Sequence, residues 1–363
     1  MLKHRLTALV LLLTTAEMAQ ILKAAEPADT VGIETTVKHL LVDEHVISQR
    51  HQVVRVLGKV KKHGVVLRPT PGMDDGSFYG FYHTVHYNPQ RNKFQIWYSW
   101  GNALNSDQPY RGTGYAESDD GVHWTKPLVS ADGQSNNVLP ASGNSVTIDP
   151  SVPWGAPDKF KAAYMHITRS SGAENATRLA YSPDGIRWTE YNDGKRVTHR
   201  AADTQNQIFW DPIREKYCLL TRTDFKGGGG GPHEFRTTRI MHHADNDLLN
   251  HPTAWKTVKD AIRVDAPDKQ FYPGSATERR QFHHLCYWVY EGIYFGIMNV
   301  WDTPHQRIYA ENDFQTRHEQ DVSDFYIGTS RDGLNFDKTW VHARQPLVPR
   351  GPAGSWDKDI VLP

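Results

Sequence analysis

The sequence predicts an all-β fold, a β-propeller built from repeats of a four-stranded blade. Two recurring phrases and the near absence of helical periodicity predict it. The first phrase ends in an aromatic residue: SDDGVHW at 118–124, SPDGIRW at 182–188 and SRDGLNF at 330–336. Each reads as the end of a strand and a tight turn, in which Asp caps nearby backbone and Gly takes a positive φ. The aromatic residue then starts the next strand.

The second phrase precedes the first along the chain: YNPQRNKFQIWY at 87–98, IDPSVPWGAPDKFKAAY at 148–164 and WDPIREKYCLL at 210–220. It is again strand, turn, strand. Asx followed by Pro opens the turn, because Pro fixes φ and the Asx side chain accepts a local backbone hydrogen bond. The intervals agree: 61 residues from Asn88 to Asp149, 62 from Asp149 to Asp211 and 64 from Trp124 to Trp188. Trp255 follows Trp188 by 67 residues and Phe336 follows Trp255 by 81, so four units are visible. A unit of about 60 residues with four short strands is too long for a solenoid rung and suits a propeller blade with generous loops. The one stretch with a helical signal, His242 to Asn250, is expected to form a turn or two of helix.

Residues 1–25 carry a basic start, an apolar stretch from Leu6 to Leu13 and then small residues, the pattern of a signal peptide. The expected division is therefore a signal peptide at 1–25 and a propeller domain at 26–363, in a secreted or periplasmic protein. No later segment approaches the ~20 apolar residues of a transmembrane helix. Lys plus Arg and Asp plus Glu both total 41, so no net field gathers nucleic acid or an anionic membrane surface. The 11 Trp and 16 Tyr suit sheet packing and sugar rings alike. Cys218 and Cys286 each lie in an apolar run. A disulfide and two buried free thiols are both open readings.

With these phrases in place, the sequence resembles the five-bladed propeller glycosidases. That superfamily holds invertases, levansucrases and arabinanases, and the resemblance is strongest to uncharacterised secreted proteins of the glycoside hydrolase family 32-like type. It covers residue 40 to the end. It is carried by LLVDEHVIS at 40–48, YAESDDGVHW at 115–124, LAYSPDGIRW at 179–188, DTQNQIFWDP at 203–212 and FYPG at 271–274. The resemblance implies five blades and a glycoside hydrolase that uses paired carboxylates, with a non-catalytic carbohydrate-binding propeller as the alternative. The chain departs from the invertase pattern in three places. PGMDDGSFYG at 71–80 stands where invertases carry a WMNDPNG-type motif, WDP at 210–212 replaces Arg-Asp-Pro, and the Glu-Cys pair is missing. The chain also reaches KDIVLP soon after Phe336. Either the last blade is incomplete, or residues near Val42 and Ile360 close the ring together; an incomplete last blade is the expectation.

Propeller ligands bind on the central axis, where the innermost strands present polar side chains. Five residues before each turn Asx stand His83, Asn144 and Asn206, polar groups at equivalent positions of three blades. They suit a polyol, or else satisfy neighbouring backbone. Glycoside hydrolysis needs two carboxyl groups, one protonating the leaving oxygen and one acting as nucleophile or activating water. Asp203 precedes an inner strand and has no turn duty, so it is the first catalytic candidate. The resemblance implies Asp75, at the first-blade position of the superfamily's nucleophile or base. Asp268, entering the fourth blade, is the third, with Glu278 as its rival. The turn acids Asp120, Asp184, Asp211 and Asp332 are explained by the repeat.

Tyr272 and Trp100 are candidates to stack on a sugar or simply to pack, and Arg222 is a candidate partner for an acid, a charged substrate or the phosphate of a phosphorolytic enzyme. KGGGGGP at 226–232 lacks the Lys and Ser or Thr of a phosphate-binding loop and reads as a loop between strands. The paired histidines His242, His243, His283 and His284 have no zinc-site spacing. No metal and no organic cofactor are expected, and the partner is a carbohydrate.

Overall fold

The computed structural model describes residues 38–76, 78–101, 111–139, 141–165, 176–198, 204–225, 235–262, 279–303 and 322–358. The chain divides into two units, Met1–Arg55 and Val56–Pro363. In the first, Glu44 pairs with Arg50 (3.4 Å) and Arg55 (3.1 Å), and Asp43 Oδ1 accepts the His45 N–H. The expected signal peptide lies outside the described residues.

The second unit is a β-propeller with four blades among the described residues, each a meander of antiparallel strands. The first blade is β1 (Phe78–Asn88), β2 (Lys93–Gly101), β3 (Arg111–Ser118) and β4 (Trp124–Thr125), with β5 (Asn137–Leu139) paired to β3. The second is β6 (Ser142–Ile148), β7 (Phe160–Met165), β8 (Arg178–Ser182) and β9 (Thr189–Glu190). The third is β10 (Gln207–Asp211), β11 (Lys216–Phe225), β12 (Phe235–His243) and β13 (Trp255–Ile262). The fourth is β14 (Arg279–Tyr290), β15 (Ile293–Thr303) and β16 (Val322–Ser330), and a single Thr329–Asp337 bridge stands where its last strand would pair. A fifth blade is not among the described residues. The helix expected at 242–250 does not form: His242 and His243 finish β12 and turns follow, with Asp245 and Asp247 capping local backbone and side chains. A four-residue helix α1 (Thr339–His342) follows the last blade instead.

The repeated turn is built as its residues dictate. Ser118, Ser182 and Ser330 each donate to the Asp two residues on, at 2.9–3.1 Å. Each Asp Oδ1 accepts the N–H groups two and three residues further: Val122 and His123, Ile186 and Arg187, Leu334 and Asn335. Gly185 is required twice over. Its φ is +77°, and a Cβ would sit 2.6 Å from Cζ2 of Trp97, which reaches across from the first blade to donate its indole N–H to Gly185 O (2.7 Å).

The core lies between successive blades. Trp97, Tyr115, Val146 and Phe160 fill the first interface, Leu179, Ile208, Leu219 and Met241 the second, and Leu220, Ile240, Leu285 and Met298 the third. Cys218 and Cys286 are free thiols. Burial pushes the Cys218 thiol well up and the Cys286 thiol up to about 12, so both stay protonated at neutral pH.

Candidate functional site

The innermost strands β1, β6, β10 and β14 all run in the same sense along the axis, so the propeller has an entry end, where these strands begin, and a turn end, where they leave for their partners. Contacts between inner strands fix the axis. His86 Nε2 donates to Val146 O (2.7 Å), and the Gln207 amide pairs with both the N–H and the C=O of Tyr287 at 2.8–2.9 Å. The ring of Tyr82 stacks on His283 with centroids 6.1 Å apart, joining the fourth blade to the first.

Gln205 ties the centre. Its Nε2 donates to His83 O (3.0 Å) and Asn144 O (3.2 Å), and its Oε1 receives the Cys286 thiol (3.3 Å). One side chain of the third blade thus touches each of the other three. Just before it, Thr204 is fully buried with Oγ1 3.4 Å from His283 Nδ1. Sequence reasoning missed Gln205, because a neutral amide between two polar neighbours in TQNQ carries no signal of its own.

From this floor a cavity of about 490 Å3 extends toward the turn end. His83, Ser145, Thr147, Gln205, Trp210 and Trp288 are among its walls, which come from all four inner strands and reach the turns at Pro150 and Pro212. No carboxylate, lysine or arginine stands among the lining residues that are described. Burial lowers the pKa of His83 and of His86, and their backbone bonds to Gly80 O and Val146 O only partly offset this, so both rings are neutral at pH 7. The cavity therefore offers neutral hydrogen-bonding groups and aromatic rings.

The structure distributes the expected site residues unevenly. His83 lines the cavity. Asn144 donates to Ser99 Oγ (3.1 Å) and Thr113 Oγ1 (2.8 Å), and one blade later Asn206 accepts from Thr177 Oγ1 (3.0 Å); both asparagines clamp their inner strand to the preceding blade. Trp100 is buried beside Ile96 and Tyr98, and Arg222 is buried in β11 opposite Thr238. Asp75 is exposed and accepts the Gly72 N–H (2.9 Å), closing a turn ahead of β1, and it does not line the described cavity. Its neighbour Asp74 is fully buried, held by the Tyr98 hydroxyl (2.5 Å), Lys126 Nζ (2.6 Å) and the Thr70 N–H (2.6 Å). Other buried acids are paired as well: Asp149 with Lys161, Asp211 with Arg214, Asp302 with Arg280 and Asp324 with Arg350. Asp203, Asp268, Tyr272 and Glu278 lie outside the described residues. No cluster of three or more His, Cys, Asp or Glu residues with the geometry of a metal site occurs among the described residues. No described helix is long and apolar enough to cross a membrane.

No family model matches the chain, and no curated protein matches it. Among solved structures it is similar to a BT0996–RGII complex at 13% identity, covering 84% of this chain and 83% of that one with a TM-score of 0.49. It is similar to an N-acetylgalactosamine deacetylase from F. plautii in complex with blood group B trisaccharide at 15% identity, covering 80% and 78% with a TM-score of 0.49. It is also similar to a fructofuranosidase from Schwanniomyces occidentalis at 13% identity, covering 75% of this chain and 47% of that one with a TM-score of 0.44. These are low-identity similarities of chain path, and none transfers an activity.

Proposed function

We propose that this protein is a secreted glycoside hydrolase that cleaves oligo- or polysaccharides with a pair of carboxyl groups at the entry end of the propeller, Asp203 being one of them. The supporting observation is the position of the segment that follows Asp203. Thr204 is buried against His283 of the fourth blade, and Gln205 bonds the first, second and fourth blades. Asp203 immediately precedes this segment in the sequence. Asp268 and Glu278 precede β14 and are the candidates for the second carboxyl; Asp75 ranks below them because its carboxylate already closes a turn.

A second reading, a carbohydrate-binding propeller without catalysis, is favoured by the absence of any carboxylate among the described residues of the axial cavity. Hydrolysis of a broad oligosaccharide and polysaccharide panel, run with the wild-type chain beside Asp203→Asn, separates the two. The hydrolase reading expects turnover that falls at least ~100-fold in the folded variant, the scale of a lost general acid or base. Turnover unchanged by the substitution removes Asp203 from the machinery, and binding without turnover in either protein leaves the binder.

A further inference from the structure

The cavity opens at the end of the propeller where the inner strands leave for their partners, and its walls have the composition of a ligand site in their own right. At about 490 Å3 it falls inside the ~300–1,000 Å3 range of small-molecule sites. Trp288 is 43% exposed and its ring is backed by Phe295, stacked at 5.9 Å and 19°, so one indole face is held in place while the side chain stays open to solvent. Trp210 is likewise fixed, edge-on to Tyr217 at 5.0 Å. Rings held in place before a ligand arrives lose little freedom on binding.

The polar atoms point the same way. The Gln205 and Gln207 amides are spent on backbone and on the Cys286 thiol. Ser145, on the inner strand of the second blade, is only 4% exposed, and its hydroxyl has no partner although it borders the cavity. Thr147 stands two residues on and therefore on the same side of β6. A buried hydroxyl without a partner is costly, and a ligand hydroxyl offered to it removes that cost. Since no ionic side chain lines the described walls, a charged ligand entering here would lose hydration with no counter-charge to replace it.

We propose that the turn-end mouth is a second saccharide site, selective for a neutral mono- or disaccharide unit that stacks on Trp288 and hydrogen-bonds Ser145 and Thr147. The inference takes its ligand class from the carbohydrate reading above and does not depend on Asp203. Calorimetric titration of the Asp203→Asn chain with neutral disaccharides of arabinose, xylose, galactose and fructose, and with digalacturonate, tests it. The expected result is saturable binding of at least one neutral disaccharide, at least tenfold weaker in Trp288→Ala and severalfold weaker in Thr147→Val, with digalacturonate at least tenfold weaker than the neutral ligand. Thermal melting confirms that both variants fold. Absence of neutral binding, binding indifferent to both substitutions, or equal binding of digalacturonate overturns the proposal. Asp203-dependent hydrolysis without this binding sinks only the second site, whereas Trp288-dependent binding without hydrolysis sinks only the hydrolase.

Discussion

The interface between the first and second blades and the two that follow it use the same positions with different chemistry. Between the second and third blades, the turn acid Asp149 accepts the Tyr217 hydroxyl (2.7 Å) and pairs with Lys161 (2.5 Å). Between the third and fourth, Asp211 accepts the Tyr294 hydroxyl (2.8 Å) and pairs with Arg214 (3.1 Å). At the first interface the turn residue is Asn88, and Phe160 stands where the later blades carry Tyr217 and Tyr294, with no hydroxyl to offer. Asn88 turns inward to Gln95 of its own blade (2.9 Å), and the crossing contact passes to Trp97 and Gly185 O. A buried turn acid thus comes with a donor on the next blade, and a neutral turn amide comes with none. The repeat is kept by satisfying the hydrogen bonds within each pair rather than by keeping one residue type.

The comparison breaks most readily at Asp149. Burial alone would raise its pKa, but Lys161, Ser151 and Tyr217 hold it below the ordinary carboxylate value. Asp149→Ala leaves the nearly inaccessible Lys161 ammonium with only Asp158 at 3.1 Å, and the expected loss in urea denaturation is about 3–5 kcal/mol. Asn88→Ala, which removes neutral bonds, is expected to cost about 1–2 kcal/mol. Equal costs would show that charge is not what distinguishes the two interfaces.

Acid should attack the centre of the ring before these staples. Burial, with neighbouring His83 adding to it, lowers His284 to about 3, whereas an unfolded histidine titrates near 6.5. Below pH 6.5 the unfolded chain therefore binds a proton that the folded chain refuses, and stability falls as pH falls. Between pH 7 and 5 the loss through His284 is about 2 kcal/mol, at about 1.4 kcal/mol per pH unit. In His284→Gln the fall in stability over this range, followed by urea denaturation, should be about 2 kcal/mol smaller than in the wild type, whereas Asp149→Asn should leave that part of it in place. Tyr217→Phe is expected to cost about 1.5 kcal/mol in thermal or urea denaturation, comparable to Asn88→Ala, and the smallest effect belongs to Phe160→Tyr, which should gain nothing unless Asn88 is made Asp as well.

How much of this was legible in the sequence follows the range of each interaction. The SxDG turns are closed by atoms two or three residues apart, so the phrases at 118–124, 182–188 and 330–336 revealed the blades and excluded the turn acids from the site. Register along the inner strands located His83, Asn144 and Asn206, but whether each faces a cavity or a neighbouring blade depends on side chains brought in from elsewhere. Ser99 and Thr113 claim Asn144, and nothing near residue 144 announces them. The adjacent acids of MDDG look alike in sequence, yet Lys126, 52 residues away, buries Asp74 and leaves Asp75 on the surface. Ser145 and Gln205 went unnoticed for the same reason: their importance is set by partners, or by the lack of one, from other blades.

Gln205 carries a further consequence, for the order in which the molecule is made. Both carbonyls that it needs, on His83 and Asn144, are synthesised before it, whereas Cys286 comes 81 residues later. A chain emerging from the ribosome can thus seat its third blade on two finished neighbours, N-terminal units first. The last hydrogen bond to the central amide waits for the fourth blade, so it marks the moment at which all four are present.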